Sequence, residues 1–520
     1  MSLFRKKNMK TTEDMIDTMD SPVSLNSTTN NENLVIYETE KDERSHKKKK
    51  RANRQIMHIT FFFVLVFLGL IAYMIKFTYL DSPAIIVNSR NKRQASFAQK
   101  TIRGKIYSSD GKVLAQTEDG GTDSEHRVYP YGREFAHVVG YNKKGMSGLE
   151  SKYNYQLLTS NSGLGTQIKN ALLDHNNEGD SLYTTLNTRV QEAAYDALGN
   201  RKGAVLAIEP STGKILAMVS KPDFNPNAIE DSWEELNTST GSSLVNRATQ
   251  GLYPPGSTFK IITAIEYMRD HKNYEDFSYT CNSTITKNSV KVSCYHGSTH
   301  GKVNLRQAIA KSCNTAFVEL GSDLSKSKLR KLAENFLLNQ DTGVDIANKK
   351  SSMKLSAKTQ NSQMPQTVIG QGDTLMTPLN NALIMCAIAN DGIIMKPYLA
   401  ERIESAGGNI IKEYSSTEYQ EAISKKEAAT MKEMLQEVIE NGTGSRLKNS
   451  RYSVAGKTGS AEYNSNKDSH AWFVGMSNVE NPDLVVCVIV EGGGAGGSTA
   501  APVAKQVFDA YYDAGLGSIE

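Results

Sequence analysis

Cysteine is scarce: the 520 residues include five, and no two of them stand at Cys-x-x-Cys spacing. That excludes a disulfide-dense scaffold, and with only nine histidines it argues against a structural zinc site. Charge of one sign is also lacking. Sixty Lys and Arg face 56 Asp and Glu, a formal +4 that gives no basis for a nucleic-acid partner. Long apolar runs are confined to one stretch, which excludes a multi-span membrane protein. A hydrophobic share of 39% is too high for a disordered chain. What remains is length enough for two or three folded units and one large core.

Residues 1–55 are polar and unpatterned and read as a disordered tail. The tail ends in Lys47–Arg54, six basic residues in eight. Ile56–Ile75 follows, twenty residues interrupted only by weak polar groups such as His58 and Thr60. As a helix this run is about 30 Å long, the thickness of one bilayer core, so residues 56–78 are predicted to span a membrane. The run is too long, and too far into the chain, for a cleaved signal peptide. Basic residues before it and few after place the tail in the cytoplasm and residues 80–520 outside, with Tyr73 and Tyr79 at the outer interface. ATP is scarce outside the cell, which lowers the expectation of nucleotide chemistry.

Residues 79–180 read as a β-rich, membrane-proximal spacer, with a turn at Ser108–Gly111 between Lys105–Tyr107 and Lys112–Ala115. Residues 181–520 read as one α+β domain. Strands are predicted at 203–208, 214–219, 453–463, 470–477 and 484–490, forming a five-stranded, mainly antiparallel sheet. Helices are predicted at 188–198, 259–269, 305–320, 379–389, 424–440 and 501–514.

Ser257-Thr258-Phe259-Lys260 follows Tyr253-Pro254-Pro255-Gly256 and opens an apolar helical run. Lys260 then lies one turn from Ser257 on the same face. A buried amine loses its proton readily and can take the proton of a nearby hydroxyl, a design for acyl transfer. The tetrapeptide alone says little. Ser-x-x-Lys also begins at Ser45, Ser89, Ser109, Ser325, Ser351 and Ser445, and Ser257 could be a plain N-cap. Two more elements change the balance: Ser312-Cys313-Asn314, 55 residues later, and Lys457-Thr458-Gly459-Ser460, 145 residues after that and the chain's one Lys-Thr-Gly.

In that order the three motifs resemble those of the class B, monofunctional transpeptidase type of penicillin-binding protein, related to the active-site serine β-lactamases. The resemblance covers roughly residues 80–515. It includes Arg103-Gly104-x-Ile106, Gly148-Leu149-Glu150 before Tyr153-Asn154, Asn246-Arg247-Ala248, Gly370-Gln371-Gly372, Thr377-Pro378-Leu379 and Ala389-Asn390-Asp391-Gly392. It implies a peptidoglycan D,D-transpeptidase, active in elongation or sporulation, that needs neither cofactor nor metal. Its substrates would be stem peptides, as D-Ala-D-Ala donor and amine acceptor; β-lactams would be covalent ligands and a polytopic SEDS-type glycosyltransferase a partner. By motif, Ser257 would attack the penultimate D-Ala carbonyl and Lys260 would be its base. Ser312 would relay a proton to the leaving D-Ala, and Asn314 would hold the peptide amide. Lys457, Thr458 and Ser460 would face the substrate carboxylate, and Gly459 would let the substrate lie along the strand edge. The N–H groups of Ser257 and Ser460 would form the oxyanion hole.

Two positions depart from the family pattern. Ser460 stands where Thr is frequent and keeps the hydroxyl. Cys313 is expected to point into the core rather than act as a nucleophile. Cys281 and Cys294 could pair in a disulfide or stay reduced, while Cys386 and Cys487 read as core. Glu491–Gly497 lacks the ending of a phosphate loop and reads as a turn into the last helix, with Ser498 or Thr499 as cap. His296 and His300 read as surface loop residues. The competing functions are a D,D-carboxypeptidase or β-lactamase-like hydrolase, and a non-catalytic β-lactam-binding scaffold. The class A water-activating Glu-x-x-Leu-Asn has only an ill-spaced counterpart at Glu334–Asn339.

Overall fold

A computed structural model describes residues 31–77, 101–120, 122, 125–449, 451–462 and 469–518. The chain divides into two units, Met1–Pro83 and Ala84–Glu520. In the first, one helix, α1, runs Asn31–Lys76. Its Lys47–Lys76 part is long and apolar enough to cross a membrane, and its large side chains, such as Leu65 and Phe67, are exposed. The polar segment read from the sequence as a tail is helical from Asn31 onward. Asn31–Arg54 contains no Gly or Pro and is rich in Glu, Lys and Arg, all good helix formers. Extending a helix that the apolar run has nucleated costs little. Residues 1–30 and Tyr79 lie outside the described residues.

After a short strand, Thr101–Ile102, that pairs with Asn177–Glu178, the second unit has β1 (Ile106–Tyr107), β2 (Val113–Glu118), β3 (His126–Val128), α2 (Leu164–Leu172), β4 (Ser181–Thr184) and α3 (Thr188–Leu198). Strands β5 (Gly203–Ile208) and β6 (Ile215–Lys221) precede α4 (Lys260–Asp270). An insert of four short strands follows: β7 (Tyr279–Cys281), β8 (Thr284–Lys287), β9 (Val290–Ser293) and β10 (Gly301–Val303). Then come α5 (Leu305–Ala310), α6 (Asn314–Gly321), α7 (Pro378–Ala389), β11 (Ala400–Glu404), β12 (Ile410–Glu413) and α8 (Lys425–Glu440). The chain finishes with β13 (Val454–Ala461), β14 (His470–Ser477), β15 (Leu484–Val490) and α9 (Gly496–Asp513).

Two sheets organise the unit. The larger has the order β13-β14-β15-β5-β6, antiparallel throughout. Every residue of β5, β14 and β15 is buried, because α3 and α9 cover one face and α7 the other. A strand buried on both faces shows no polar alternation, which is why these read as continuous apolar runs. The smaller sheet has the order β12-β11-β4-β1-β2-β3. The predicted hairpin appears in it as β1 and β2, with Ile106 opposite Ala115, but residues 400–413 supply two of its six strands.

Helix α7 is buried at all twelve positions, in keeping with an apolar surface all round. The helix predicted over 305–320 is broken into α5 and α6. Ser312 takes a left-handed φ of +54°, and Cys313 N–H returns to Ala308 O at 2.9 Å. Nor do Ser498 and Thr499 cap the last helix: α9 starts at Gly496, and their hydroxyls donate back to Ala495 O and Gly493 O. A Cβ on Gly496 would lie 2.1 Å from Trp472 O, so the glycine run lets the helix start lie directly on β14.

Candidate active site

Pro255 and Gly256, the latter at φ +53°, lead into a single 3₁₀ turn, Gly256–Phe259, that runs straight into α4. Three contacts hold this turn. Gly256 N–H donates to Gly370 O at 2.9 Å, and Trp472 Nε1 to Pro254 O at 3.0 Å. Glu491 Oε1 accepts from both Tyr253 OH and Arg247 Nε at 2.7 Å. Gly370, at φ +75°, has no room for a side chain: a Cβ there would lie 2.1 Å from Gly256 O. Gly370→Ala is expected to displace the turn and cut the rate of β-lactam acylation by roughly 10²-fold, the scale of a 1 Å misplacement. Stopped-flow acylation of the variant checks this, and an unchanged rate would show that the turn is not held from this side.

Three segments far apart in the sequence converge on the turn. Lys260 Nζ lies 3.1 Å from Ser257 Oγ, 2.6 Å from Asn314 Oδ1, 2.7 Å from Ser312 O and 3.3 Å from Ser312 Oγ. Lys457 Nζ donates to Ser312 Oγ at 3.0 Å and to Thr458 O at 2.9 Å. The left-handed conformation of Ser312 lets its hydroxyl sit between the two amines. Asn314, at the start of α6, is fixed from its other end by Nδ2 donating to Ser293 O at 2.9 Å.

These groups border a cleft of about 590 Å³ lined by Ser257, Ser312, Asn314, Thr458, Gly459 and Ser460, among others. Strand β13 forms one wall as the edge strand of its sheet. Gly459 serves packing as well: a Cβ there would meet Trp472 Cβ at 3.1 Å and Thr258 Cγ2 at 3.2 Å. Lys260 and Lys457 are fully buried beneath the cleft instead of lining it. Burial pushes the Lys260 amine down to about 8, against a partial rise from the Cys313 and Cys294 sulfurs. Burial, and then the neighbouring Lys260, hold Lys457 well below its ordinary value.

Several contributors escaped the sequence reading. Thr443 Oγ1 meets Thr458 Oγ1 at 2.5 Å, from a loop with no periodic pattern to flag it. Trp472 and Glu491 act at a distance, by holding the turn. Cys313 is fully buried and turned from the cleft, as expected. Cys281 and Cys294 are free thiols with sulfurs 3.7 Å apart. His296 and His300 belong to the cleft wall.

A serine–lysine turn packed on the edge strand of a five-stranded antiparallel sheet, under helices on both faces, defines a serine-dependent, β-lactam-interacting class of fold. Residues 203–509 match the penicillin binding protein transpeptidase domain, and residues 103–182 match the penicillin binding protein A dimerisation domain. The peptidoglycan D,D-transpeptidase PbpA of Mycolicibacterium smegmatis is 33% identical over 457 residues, 81% of this chain and 91% of that one. Penicillin-binding protein A from M. tuberculosis, solved as its imipenem acyl-enzyme, superposes with a TM-score of 0.73 at 31% identity, covering 81% of this chain and 100% of that one. The D,D-transpeptidase domain of a peptidoglycan glycosyltransferase from Eggerthella lenta gives 0.72 at 33% identity, over 80% and 99%. The chain belongs to the penicillin-binding protein transpeptidase family.

Proposed function

We propose that the protein is a serine D,D-transpeptidase that cross-links peptidoglycan stem peptides through an acyl-enzyme at Ser257 and is acylated there by β-lactams. The observation that carries this reading is the 3.1 Å approach of a buried amine, its pKa lowered by burial to about 8, to the Ser257 hydroxyl at the floor of an open cleft. Neutral Lys260 takes the Ser257 proton as Oγ adds to the carbonyl carbon of the penultimate D-Ala. The C–N bond then breaks, and the departing D-Ala amine collects a proton through Ser312 Oγ, which touches both buried amines. The acceptor amine reverses these steps on the ester. Asn314 holds Lys260 and the donor peptide. Thr458 and Ser460 offer hydroxyls to the terminal carboxylate, and Lys457 acts from below, through Ser312. The N–H groups of Ser257 and Ser460 receive the oxyanion.

The spacer residues 79–180 would carry the catalytic domain, residues 181–520, outside the cell on a single span at 56–78, with residues 1–55 inside. The basic run Lys47–Arg54 before the apolar stretch supports that direction. A SEDS-type polymerase is the membrane partner this reading carries with it.

The function is tested by supplying a D-Ala-D-Ala donor peptide and an amine acceptor. Cross-linked product with one D-alanine released per bond supports it. Release of D-alanine without cross-links would make the protein a carboxypeptidase, and no release with no β-lactam adduct would leave a scaffold. The rate should also follow the Lys260 amine. Its neutral form is the base, so kcat/KM for acylation should climb with pH to about 8 and level off above it. A profile flat from pH 6 to 9, measured with fluorescent penicillin, would remove Lys260 from that role.

A further inference from the structure

Five cysteines spread over 207 positions suggested no metal, yet folding gathers three of them with a histidine. Cys281, Cys294, His300 and Cys313 each present a ligand atom, all within 4.8 Å of one another. Cys281 ends β7, Cys294 follows β9, and His300 precedes β10, whose Gly301 lies opposite Cys281. Cys313 comes from the break between α5 and α6, and α6 packs against the insert.

Three of the six ligand–ligand distances match the edges of a coordination tetrahedron, and the other three lie within 4.8 Å. Cys281 Sγ to Cys294 Sγ is 3.7 Å, Cys294 Sγ to Cys313 Sγ is 3.8 Å, and Cys281 Sγ to His300 Nδ1 is 3.4 Å. Zinc–sulfur bonds of about 2.3 Å and zinc–nitrogen bonds of about 2.0 Å require tetrahedral edges of about 3.8 Å between sulfurs and about 3.5 Å from sulfur to nitrogen. A disulfide requires sulfurs at about 2.05 Å and would leave the third thiol unused. The surroundings suit thiolates. Thr315 Oγ1 donates to Cys281 Sγ at 3.2 Å and lies 3.4 Å from Cys313 Sγ, the outer hydrogen bonding that orients ligands of this kind. All three sulfurs are buried, while Cys294 and His300 border the cleft and give an ion a way in.

We propose that Cys281, Cys294, His300 and Cys313 bind one Zn²⁺ in a closed, structural Cys₃His site that pins the Ser312–Asn314 segment to the β7–β10 insert. Three thiolates and a neutral imidazole fill the four positions, leaving none for substrate or water. Binding releases the thiol protons to solvent, with no change of oxidation state. The mechanical consequence is specific. Cys313 lies between Ser312 and Asn314, and Cys294 follows Ser293, whose carbonyl holds the Asn314 amide. One ion therefore fixes both supports of Asn314, and Asn314 Oδ1 is the shortest contact of Lys260 Nζ. The four residues are positioning residues. Their effect on acylation rests on the reading of Ser257 and Lys260 given above; the metal content does not.

The test uses the full-length chain in detergent, purified without chelators or immobilised metal. Elemental analysis is expected to give one zinc per chain, and exchange with Co²⁺ should produce the near-ultraviolet thiolate-to-cobalt charge-transfer band. Cys281→Ser and His300→Ala should each lose the ion. His300→Cys should regain it as a four-thiolate site, and Cys386→Ser, in the core, should keep it. Stripping the ion with a strong chelator should slow acylation by fluorescent penicillin roughly 10²-fold, with recovery on adding ZnCl₂. A chain that is metal-free as isolated and takes up no zinc after reduction overturns the proposal, as does a Cys281–Cys294 disulfide found by mass mapping of the isolated protein. Loss of zinc with acylation unchanged would overturn the positioning role. Metal content of the wild type decides the site even if a variant fails to fold.

Discussion

Ser257→Ala will abolish covalent labelling by fluorescent penicillin, and the wild-type label will persist through gel electrophoresis. The first half follows from geometry. Of the two cleft hydroxyls within reach of Lys260 Nζ, Ser257 Oγ is the nearer, at 3.1 Å against 3.3 Å for Ser312 Oγ, and the alanine variant loses only a half-buried hydroxyl from a turn held by backbone and Trp472 contacts, so the fold survives. Ser312 does not substitute: its Oγ is engaged by both buried amines and lies beyond the turn. The second half follows from what lines the cleft. Rapid loss of the acyl group by the class A route needs a carboxylate to activate water. Glu462, at the end of β13, is the one carboxylate among the described lining residues. Glu334, from the segment nearest to a lactamase signature, is tied to Arg330 at 2.8 Å, one turn away on the same helix, Lys326–Asn335, and is absent from the cleft. Lys260→Ala keeps the nucleophile but removes the base, and should slow labelling by about 10²–10⁴-fold. Label on Ser257→Ala, or its release from wild type within one purification step, would displace the acyl-enzyme reading or turn it toward a hydrolase.

Strands β5, β14 and β15 were legible because burial on both faces leaves apolar runs without polar alternation, Ala204–Ile208, Ala471–Met476 and Leu484–Val490. Helix α3 was legible to the residue through an apolar face of period 3.6; the structure adds the cap, Asn187, whose side chain accepts from Val190 N–H. The site was legible because Ser257 and Lys260 are local to one turn, and because Lys-Thr-Gly occurs once. What stayed hidden was non-local or depended on backbone conformation. The break at Ser312 carries no Gly or Pro, so the apolar period reads straight through it. The left-handed turn is imposed by tertiary contacts to the buried amines. The extra helix before Ile56 was hidden by its polarity, which resembles a solvated tail until a nucleating neighbour is considered. The Cys₃His cluster was hidden because its ligands lie on four separate segments, with none of the short spacings that betray a metal site in sequence.

Glu150→Gln should cost about 3–5 kcal/mol of stability while leaving acylation at permissive temperature intact. Glu150 is fully buried and accepts from Arg103 Nε at 2.6 Å and Arg127 Nε at 2.8 Å, while Arg103 also holds the Glu150 carbonyl and Asn154 Oδ1. The amide keeps the shape but leaves two buried guanidiniums without a countercharge, and Arg127 Nη2 already has no hydrogen-bond partner among the described residues. The cluster lies between β1, β3 and the helix turn at Gly148–Lys152, against the small sheet, so the cleft does not register the loss. Burial alone would raise the Glu150 carboxyl; the two guanidiniums outweigh it and hold the native value below the ordinary 4.5. A depressed native pKa contributes stability that is fully present above the unfolded value and lost only as pH falls through the native one. Wild type should therefore be as stable at pH 5.5 as at pH 7, with the loss confined to more acidic solutions. Replacing all three charges at once, Arg103→Met, Glu150→Leu and Arg127→Met, removes the burial penalty together with the attraction, and should leave stability within about 2 kcal/mol of wild type or above it. Urea midpoints of the three proteins separate the cases. A Glu150→Gln midpoint equal to wild type would mean that the pair is solvated in the native state, and a triple variant weaker than Glu150→Gln would mean that the charges themselves hold the spacer together.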